Sequence, residues 1–403
     1  MNRARPKAGR PRILFVAMGD STHAARWISQ LEGLDWDVYL FPNEPRKIAP
    51  FTPLFEELAP STKILDGWPT SRFTPTLAAQ LQLRKPGWDV QGKLLTRVIR
   101  RLRPDMIHSL EIQHAGYLVH RTLVAFRMIR EQFPTWIVSN WGSDTYIFGR
   151  IEEHRERLQE VLAACDYYTS ECQRDIEPAR QFGFRGTILP VLPVAGSVDV
   201  ASVQRFRQPG PVSRRRVIAV RGYQGWAGRS LVALRAIERA ADALREYKIV
   251  IYLASAEVPF AVELLIDKTK LDIEILPYFP HESIWRLFGS ARALVALSMG
   301  DGISTSMLEA ITMGAFPIQS NTSCASEWLR DGESGILVEA EEPEQVERAL
   351  RRVVADDELV DRAAATNFET VMQRLDTSSV RPRVVEMYEQ IAAQALSRRQ
   401  QPA

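Results

Sequence analysis

The chain has 403 residues, 45% hydrophobic and 25% charged, which is the composition of a globular protein with two or three domains. Lysine and arginine number 51 against 49 acidic residues, so the formal net charge of +2 gives no indication of a nucleic-acid partner. The sequence has no run of 18 apolar residues, and its three cysteines form no CxxC pair. These features predict neither a membrane span nor a disulfide framework nor a zinc site.

The first twelve residues, MNRARPKAGRPR, contain five basic side chains and no acid. This composition predicts a flexible basic tail over residues 1–12, and contact of the tail with an anionic membrane surface is the alternative. The apolar run that follows, ILFVAM, is too short for the hydrophobic region of a signal peptide. We therefore expect a cytoplasmic protein, with peripheral attachment to the inner face of the cell membrane left open.

The first half of the chain alternates between short apolar strands and helices. The predicted strands are residues 13–16, 37–41, 104–110, 135–139, 167–169 and 186–189. The predicted helices are residues 23–31, 94–102, 115–131 and 152–164, with one more before the last strand. Residues 42–88, with many prolines and scattered aromatic side chains, are expected to be irregular.

The alternation restarts after a segment that contains Pro-Gly-Pro and has no buried periodicity, which predicts a linker at residues 196–215. Strands are then predicted at residues 217–223, 248–254, 272–276, 293–298, 314–320 and 332–338. Helices are predicted at residues 229–244, 258–269, 281–289, 346–354, 359–374 and 380–395.

This alternation predicts parallel sheets covered by helices on both faces. The expected fold class is α/β, with two doubly wound Rossmann-like domains, residues 13–195 and 216–375, facing each other across a cleft. The C-terminal helix within residues 376–403 is expected to pack back on the first domain.

Residues 301–320, DGISTSMLEAITMGAFPIQS, follow the strand predicted at 293–298. Asp301 and Glu309 are separated by seven residues, and a helix is expected to begin near Thr305. One interpretation is an ordinary helix capped by Ser304 or Thr305. The other is a site in which the helix N-terminus binds a diphosphate and the two carboxylates accept hydrogen bonds from vicinal hydroxyls.

The same stretch resembles the acidic signature of retaining GT-B glycosyltransferases of family 4 (glycosyl transferases group 1), with Asp301 in the place of the first glutamate and Glu309 as the second. EWLRDGESGILV further on resembles the ending of that signature. The resemblance is specific over residues 272–340 and covers most of the chain in architecture. It implies a GT-B fold and transfer of a sugar, with retention, from a UDP- or GDP-sugar to an acceptor hydroxyl, without a metal or another cofactor.

The resemblance also implies roles for single residues. Glu309 is expected to bind the ribose hydroxyls of the donor and Asp301 its sugar. Four small residues between them are expected to hold the diphosphate: Gly302, Ser304, Thr305 and Ser306.

Arg221, at the end of the strand 217–223, and Arg229, a few residues on, are expected to neutralise the phosphates. The alternatives are an exposed strand end for Arg221 and a plain helix start for Arg229. Tyr278, in PYFPHES, is placed by the resemblance against the nucleotide base.

In the first half, SNWGSD ends in Asp144, which matches an acid of the family and could contact the donor sugar or the acceptor. A helix N-cap is the alternative role for Asp144. Gly19 and His23, in GDSTHAARW, are candidates on the acceptor side, although His23 could equally face solvent or be satisfied within a helix.

RPDMIHSLEIQH places His108, Glu111 and His114 near another strand end, where acceptor contact or a structural role is favoured over metal binding. The acceptor could be a glycan, a lipid-linked glycan or a small metabolite. Two functional alternatives stay open: a sugar-nucleotide epimerase of GT-B architecture, and a non-catalytic protein that binds nucleotide sugars.

Overall fold

The computed structural model describes residues 10–43, 52–65, 89–125, 133–277 and 280–400. The chain forms two compact units, of which the first combines Met1–Ser197 with Arg381–Ala403 and the second is the continuous stretch Val198–Val380. The boundary at Val198 lies inside the segment predicted as a linker. The described residues form no helix that is both long and apolar enough to cross a membrane.

The first unit is built on a parallel sheet with the strand order β3-β2-β1-β4-β5-β6-β7. Its strands are β1 Arg12–Ala17, β2 Asp37–Pro42, β3 Lys63–Ile64, β4 Met106–Leu110, β5 Thr135–Asn140, β6 Tyr167–Ser170 and β7 Thr187–Ile188. Its helices are α1 Thr22–Ser29, α2 Thr52–Leu58, α3 Val90–Leu102, α4 Tyr117–Ala125, α5 Ser143–Tyr146, α6 Glu152–Ala164 and α7 Ile176–Gln181. A single π-helical turn, Ile112–Gly116, precedes α4.

Two of these elements, α2 and β3, lie in the stretch predicted to be irregular, and that prediction was wrong for them. Phe55 and Ala59 are buried at 1% and 0% exposure, so this segment packs on the unit despite its prolines. Strand β3 adds to the sheet beside β2, where Lys63 Nζ lies 3.0 Å from Asp37 Oδ1. Tertiary packing has overridden a local composition typical of loops.

The second unit repeats the plan with the strand order β10-β9-β8-β11-β12-β13, again all parallel. Its strands are β8 Val217–Arg221, β9 Lys248–Tyr252, β10 Asp272–Ile275, β11 Ala291–Ala296, β12 Phe316–Ser320 and β13 Ile336–Val338. The helices are α8 Val200–Val203, α9 Ser230–Arg239, α10 Val258–Thr269, α11 His281–Ser290, α12 Thr305–Thr312, α13 Pro343–Ala355 and α14 Asp357–Arg374. The last helix, α15, is Thr377–Gln400.

Most of the predicted linker packs against the second unit. Val212 is 1% exposed and belongs to the core of that unit. Arg215 is equally buried, and its Nη1 donates to the carbonyl oxygens of Ala291 and Met313, both at 3.0 Å. These carbonyls lie just past the ends of α11 and α12, where helices leave acceptors without intrahelical donors.

The central strands are buried on both faces, as parallel sheets between helices require. In β1, for example, all residues from Ile13 to Ala17 are 0% exposed. In each sheet the chain order reverses once, between β1 and β4 in the first unit and between β8 and β11 in the second. Open α/β sheets bind ligands outside the carboxyl ends of the strands that flank such a reversal.

Candidate functional site

An ion pair lies at the reversal point of the second sheet. Arg221 is the last residue of β8, and Asp301 follows β11 after a short loop. Arg221 Nη1 lies 3.0 Å from Asp301 Oδ2, and the two side chains are 21% and 34% exposed. Burial lowers the pKa of the Arg221 guanidinium, but the Asp301 carboxylate offsets this and the net pKa is raised. The pair therefore presents a permanent cation and an acid at the edge where ligands bind.

Helix α12 begins at Thr305, four residues after Asp301. The Ser304 hydroxyl accepts from the Met307 amide at 3.3 Å, so Ser304 is an N-cap with its side chain used inside the protein. The carbonyl of Gly302 accepts from the Cys324 amide at 3.0 Å. Thr305 and Ser306 are partly exposed in the first helical turn, where amides have no intrahelical acceptor. This turn therefore combines the capped helix with an end suited to an anion.

Glu309 lies in the second turn of α12 with only 4% of its side chain exposed. Its Oε1 is 2.9 Å from Nε2 of His281, the first residue of α11. Sequence reasoning missed His281, because this contact joins two helices and leaves no spacing pattern in the chain. Tyr278, predicted nearby, lies outside the described residues.

Arg229 contacts a different part of the unit. Its Nε lies 3.0 Å from Glu341 Oε1, and its Nη1 donates to the carbonyl oxygen of Gly228 at 2.8 Å. A Cβ at Gly228 would lie 2.1 Å from the Tyr223 carbonyl oxygen, so this tight loop requires glycine. The described contacts thus bring Arg221, not Arg229, to Asp301.

Asp144 is a buried acid of the first unit whose carboxyl group joins two backbone segments. It is 1% exposed, and its Oδ2 accepts from the amides of Ile112 at 2.9 Å and Trp141 at 2.8 Å. It therefore binds the backbone at the carboxyl ends of both β4 and β5. Burial, with a further contribution from the Glu111 carboxylate, raises the pKa of Asp144 to about 8.

Glu111 has a backbone conformation that non-glycine residues rarely adopt, with φ 86° and ψ 152°. It is 6% exposed, its Oε1 accepts from Asn43 Nδ2 at 2.8 Å, and His114 Nδ1 lies 3.1 Å from the same oxygen. The π-helical turn Ile112–Gly116 begins at the next residue. Strained backbone and π-helical turns are both concentrated at functional sites.

The remaining candidates of the first unit divide into two groups. Gly19 is buried in the turn after β1, and the ring of His23 meets that of Trp141 edge-on, with centroids 6.0 Å apart. His23 therefore lies beside the loop that bears Asp144. His108, in contrast, is 0% exposed with Nδ1 2.6 Å from the Tyr388 hydroxyl and Nε2 2.8 Å from the Ser139 hydroxyl. His108 thus has a structural role.

Comparisons with known proteins identify a family for part of the second unit. Residues 231–369 match the family described as glycosyl transferases group 1. The second unit contains a group 1 glycosyltransferase domain. The matched segment includes Asp301, Glu309 and His281 but begins after Arg221. The chain is an enzyme of the glycosyltransferase class. A search of curated protein sequences finds no significant match.

Solved structures share the GT-B fold along nearly the whole chain, which confirms the predicted fold class. Sucrose-phosphate synthase from Thermosynechococcus elongatus superposes with a TM-score of 0.69 at 14% identity, covering 96% of this chain and 100% of that one. HepE from Anabaena, crystallised with UDP and glucose, gives a TM-score of 0.68 at 13% identity, covering 94% of this chain and 100% of its own. A glycosyltransferase from Rickettsia africae gives 0.66 at 14% identity, covering 95% and 99% of the two chains.

Proposed function

We propose that this chain is a retaining glycosyltransferase of family 4 type, which transfers a sugar from a UDP- or GDP-sugar to an acceptor hydroxyl without a metal or a resident cofactor. The observation on which the proposal rests is the Arg221–Asp301 ion pair at the reversal point of the second sheet, followed by the N-terminus of α12 and the buried Glu309. HepE, which has the same fold, was crystallised with UDP and glucose, and this supports a nucleotide-sugar donor.

In this proposal each group has a chemical task. The Arg221 guanidinium and the first-turn amides of α12 neutralise the diphosphate, on which negative charge grows as the sugar departs. The Glu309 carboxylate accepts from ribose hydroxyls, and the Asp301 carboxylate accepts from the donor sugar. The bond from the anomeric carbon to phosphate breaks while the bond to the acceptor oxygen forms on the same face. The acceptor proton passes to the departing phosphate oxygen.

The first unit supplies the acceptor side of the proposal. Gly19, His23 and Asp144 are the candidates there, for a glycan, lipid-linked or small-molecule acceptor. We also propose a cytoplasmic location, in which the basic residues of the N-terminal tail contact anionic lipids of the membrane. Arg12, which the sequence placed in that tail, is instead the first residue of β1, and its Nη1 donates to the Leu102 carbonyl oxygen at 2.9 Å. Residues 1–9 of this tail lie outside the described part of the chain.

The proposal is tested by melting the purified chain, in EDTA, with UDP, GDP, ADP or dTDP. A nucleotide that binds only the folded state stabilises it by about 2.7 kcal/mol at a concentration one hundred times its Kd. We expect UDP or GDP to raise the melting temperature and Glu309→Ala to abolish the rise. Glu263→Ala, an exposed acid on α10, is the control and should keep it. If none of the four nucleotides raises the melting temperature, residues 301–309 are an ordinary capped helix.

The two alternative functions are separated by the fate of the donor. A transferase releases the nucleoside diphosphate when an acceptor is present. An epimerase interconverts the donor without an acceptor, and a binding protein leaves it unchanged. Chromatography of the donor after incubation with the chain, with and without acceptor, distinguishes all three.

A further inference from the structure

One polar contact joins α11 and α12 of the second unit. His281 Nε2 lies 2.9 Å from Glu309 Oε1. The Glu309 side chain is 4% exposed, whereas that of His281 is 41% exposed. The imidazole therefore reaches an almost fully buried carboxylate from the solvent side.

The orientation of the imidazole is set by its own helix. Trp285, one turn further along α11 and 6% exposed, meets the His281 ring edge-on, with centroids 5.7 Å apart and planes at 81°. This contact restricts the ring of His281 while Nε2 faces Glu309. Because an ionised carboxylate only accepts hydrogen bonds, Nε2 is the donor in this pair.

The contact fixes the direction of the carboxylate. With Oε1 held by an imidazole N–H, the plane of the Glu309 carboxyl group can no longer rotate freely. The carboxylate then presents its oxygens to ribose hydroxyls along set directions. A carboxylate that is ordered before the ligand arrives loses less entropy on binding, so the same hydrogen bonds give tighter binding.

We propose that His281 is a positioning residue of the donor site, which orients Glu309 for the ribose hydroxyls and thereby selects ribonucleotide donors. This inference rests on the proposed function, because it takes Glu309 as the ribose ligand. The ribose is remote from the bond that breaks, so its contacts stabilise ground state and transition state alike. The loss of His281 therefore acts on the KM for the donor, with kcat little changed.

The experiment compares two replacements of His281 by calorimetric titration with UDP, or with GDP if the wild type prefers it. His281→Phe keeps a ring beside Trp285 but removes the N–H, whereas His281→Gln retains an N–H donor of similar reach. We expect the Kd to rise about tenfold in the phenylalanine variant and to stay within about threefold of wild type in the glutamine variant. The preference for the ribonucleotide over its 2′-deoxy analogue should fall only in the former.

Glu282→Gln, an exposed change in the same helical turn, is the matched control and should bind like wild type. His281→Ala also removes the N–H and adds no bulk. If His281→Phe lowers the melting temperature in the absence of nucleotide, the alanine variant takes its place in the comparison with His281→Gln. The inference is overturned if His281→Phe and His281→Ala keep the wild-type Kd and ribose preference while Glu309→Ala loses both. If Glu309→Ala itself keeps the ribose preference, the donor site of the proposed function is wrong, and this inference with it.

Discussion

At the scale of single residues, Asp144 shows how burial changes the chemistry of an acid. Its carboxyl group is 1% exposed and accepts two backbone hydrogen bonds through the same oxygen. With its pKa raised to about 8, the folded protein holds a proton there that the unfolded chain has lost above about pH 4. Because the folded state binds more protons between these values, the free energy of unfolding falls as the pH rises from about 4 to about 8.

Asp144→Asn should remove this dependence, because asparagine has no proton to lose and keeps one oxygen for both amides. We expect the variant to match the wild type within about 1 kcal/mol at pH 5 and to exceed it by about 1–3 kcal/mol at pH 9. Urea unfolding from pH 5 to pH 9 measures the difference. Asp199→Asn is the control, since the pKa of that exposed carboxyl is lowered and it is ionised throughout the range. A difference that does not change with pH would contradict the shifted pKa of Asp144.

At the scale of elements, the C-terminal helix α15 is joined to the first sheet by a buried chain of hydrogen bonds. Trp27 Nε1 donates to the Tyr388 hydroxyl at 2.7 Å, and that hydroxyl lies 2.6 Å from His108 Nδ1. Since an indole N–H only donates, the Tyr388 hydroxyl accepts from Trp27. Nε2 of the same imidazole lies 2.8 Å from the Ser139 hydroxyl. Burial lowers the pKa of His108 to about 3, which keeps the imidazole neutral at physiological pH.

Tyr388→Phe should destabilise the first unit by about 2–4 kcal/mol, because it leaves buried polar atoms of both Trp27 and His108 without a partner. Tyr167→Phe is the matched control. Its hydroxyl donates to Gln394 of the same helix at 2.5 Å, but in a partly exposed position, so we expect a loss below about 1 kcal/mol. Denaturant unfolding followed by tryptophan fluorescence compares the two variants. Equal losses of stability in the two variants would show that the buried hydroxyl of Tyr388 stabilises the protein no more than the partly exposed hydroxyl of Tyr167.

Some elements of the fold could be predicted from the sequence and others could not. The central strands could be predicted, because a strand that is buried on both faces appears in the sequence as a continuous apolar run. The strand predicted at residues 13–16, for example, lies within β1. The positive φ of Glu111 and the π-helical turn that follows it were not predicted, since no residue preference in this stretch indicates either. Likewise, Asp301 could be placed at the edge of the sheet because it follows a predicted strand in the sequence. The His281–Glu309 contact could not be predicted, because it depends on how two helices pack.

At the scale of the whole molecule, the two units differ in how the chain builds them. Val198–Val380 is continuous and has its own hydrophobic core, formed by both faces of its sheet and the helices around it. The first unit is discontinuous, because Met1–Ser197 is completed by Arg381–Ala403. The residues of the proposed donor site, Arg221, Asp301, Glu309 and His281, all lie in the continuous unit. A protein built in this way can be cut so that one unit stays complete and the other does not.

We therefore expect residues 198–380, expressed alone, to unfold cooperatively and to be stabilised by the same nucleotide as the full chain. Residues 1–197 alone should be much less stable, since Trp27 and His108 lose the Tyr388 hydroxyl that both contact. Thermal melting of the two fragments with and without nucleotide, beside a fusion of residues 1–197 to 381–403, measures both effects. The fusion should recover the stability that the shorter fragment lacks. A 198–380 fragment that folds but is not stabilised by nucleotide would show that donor binding needs residues outside this unit.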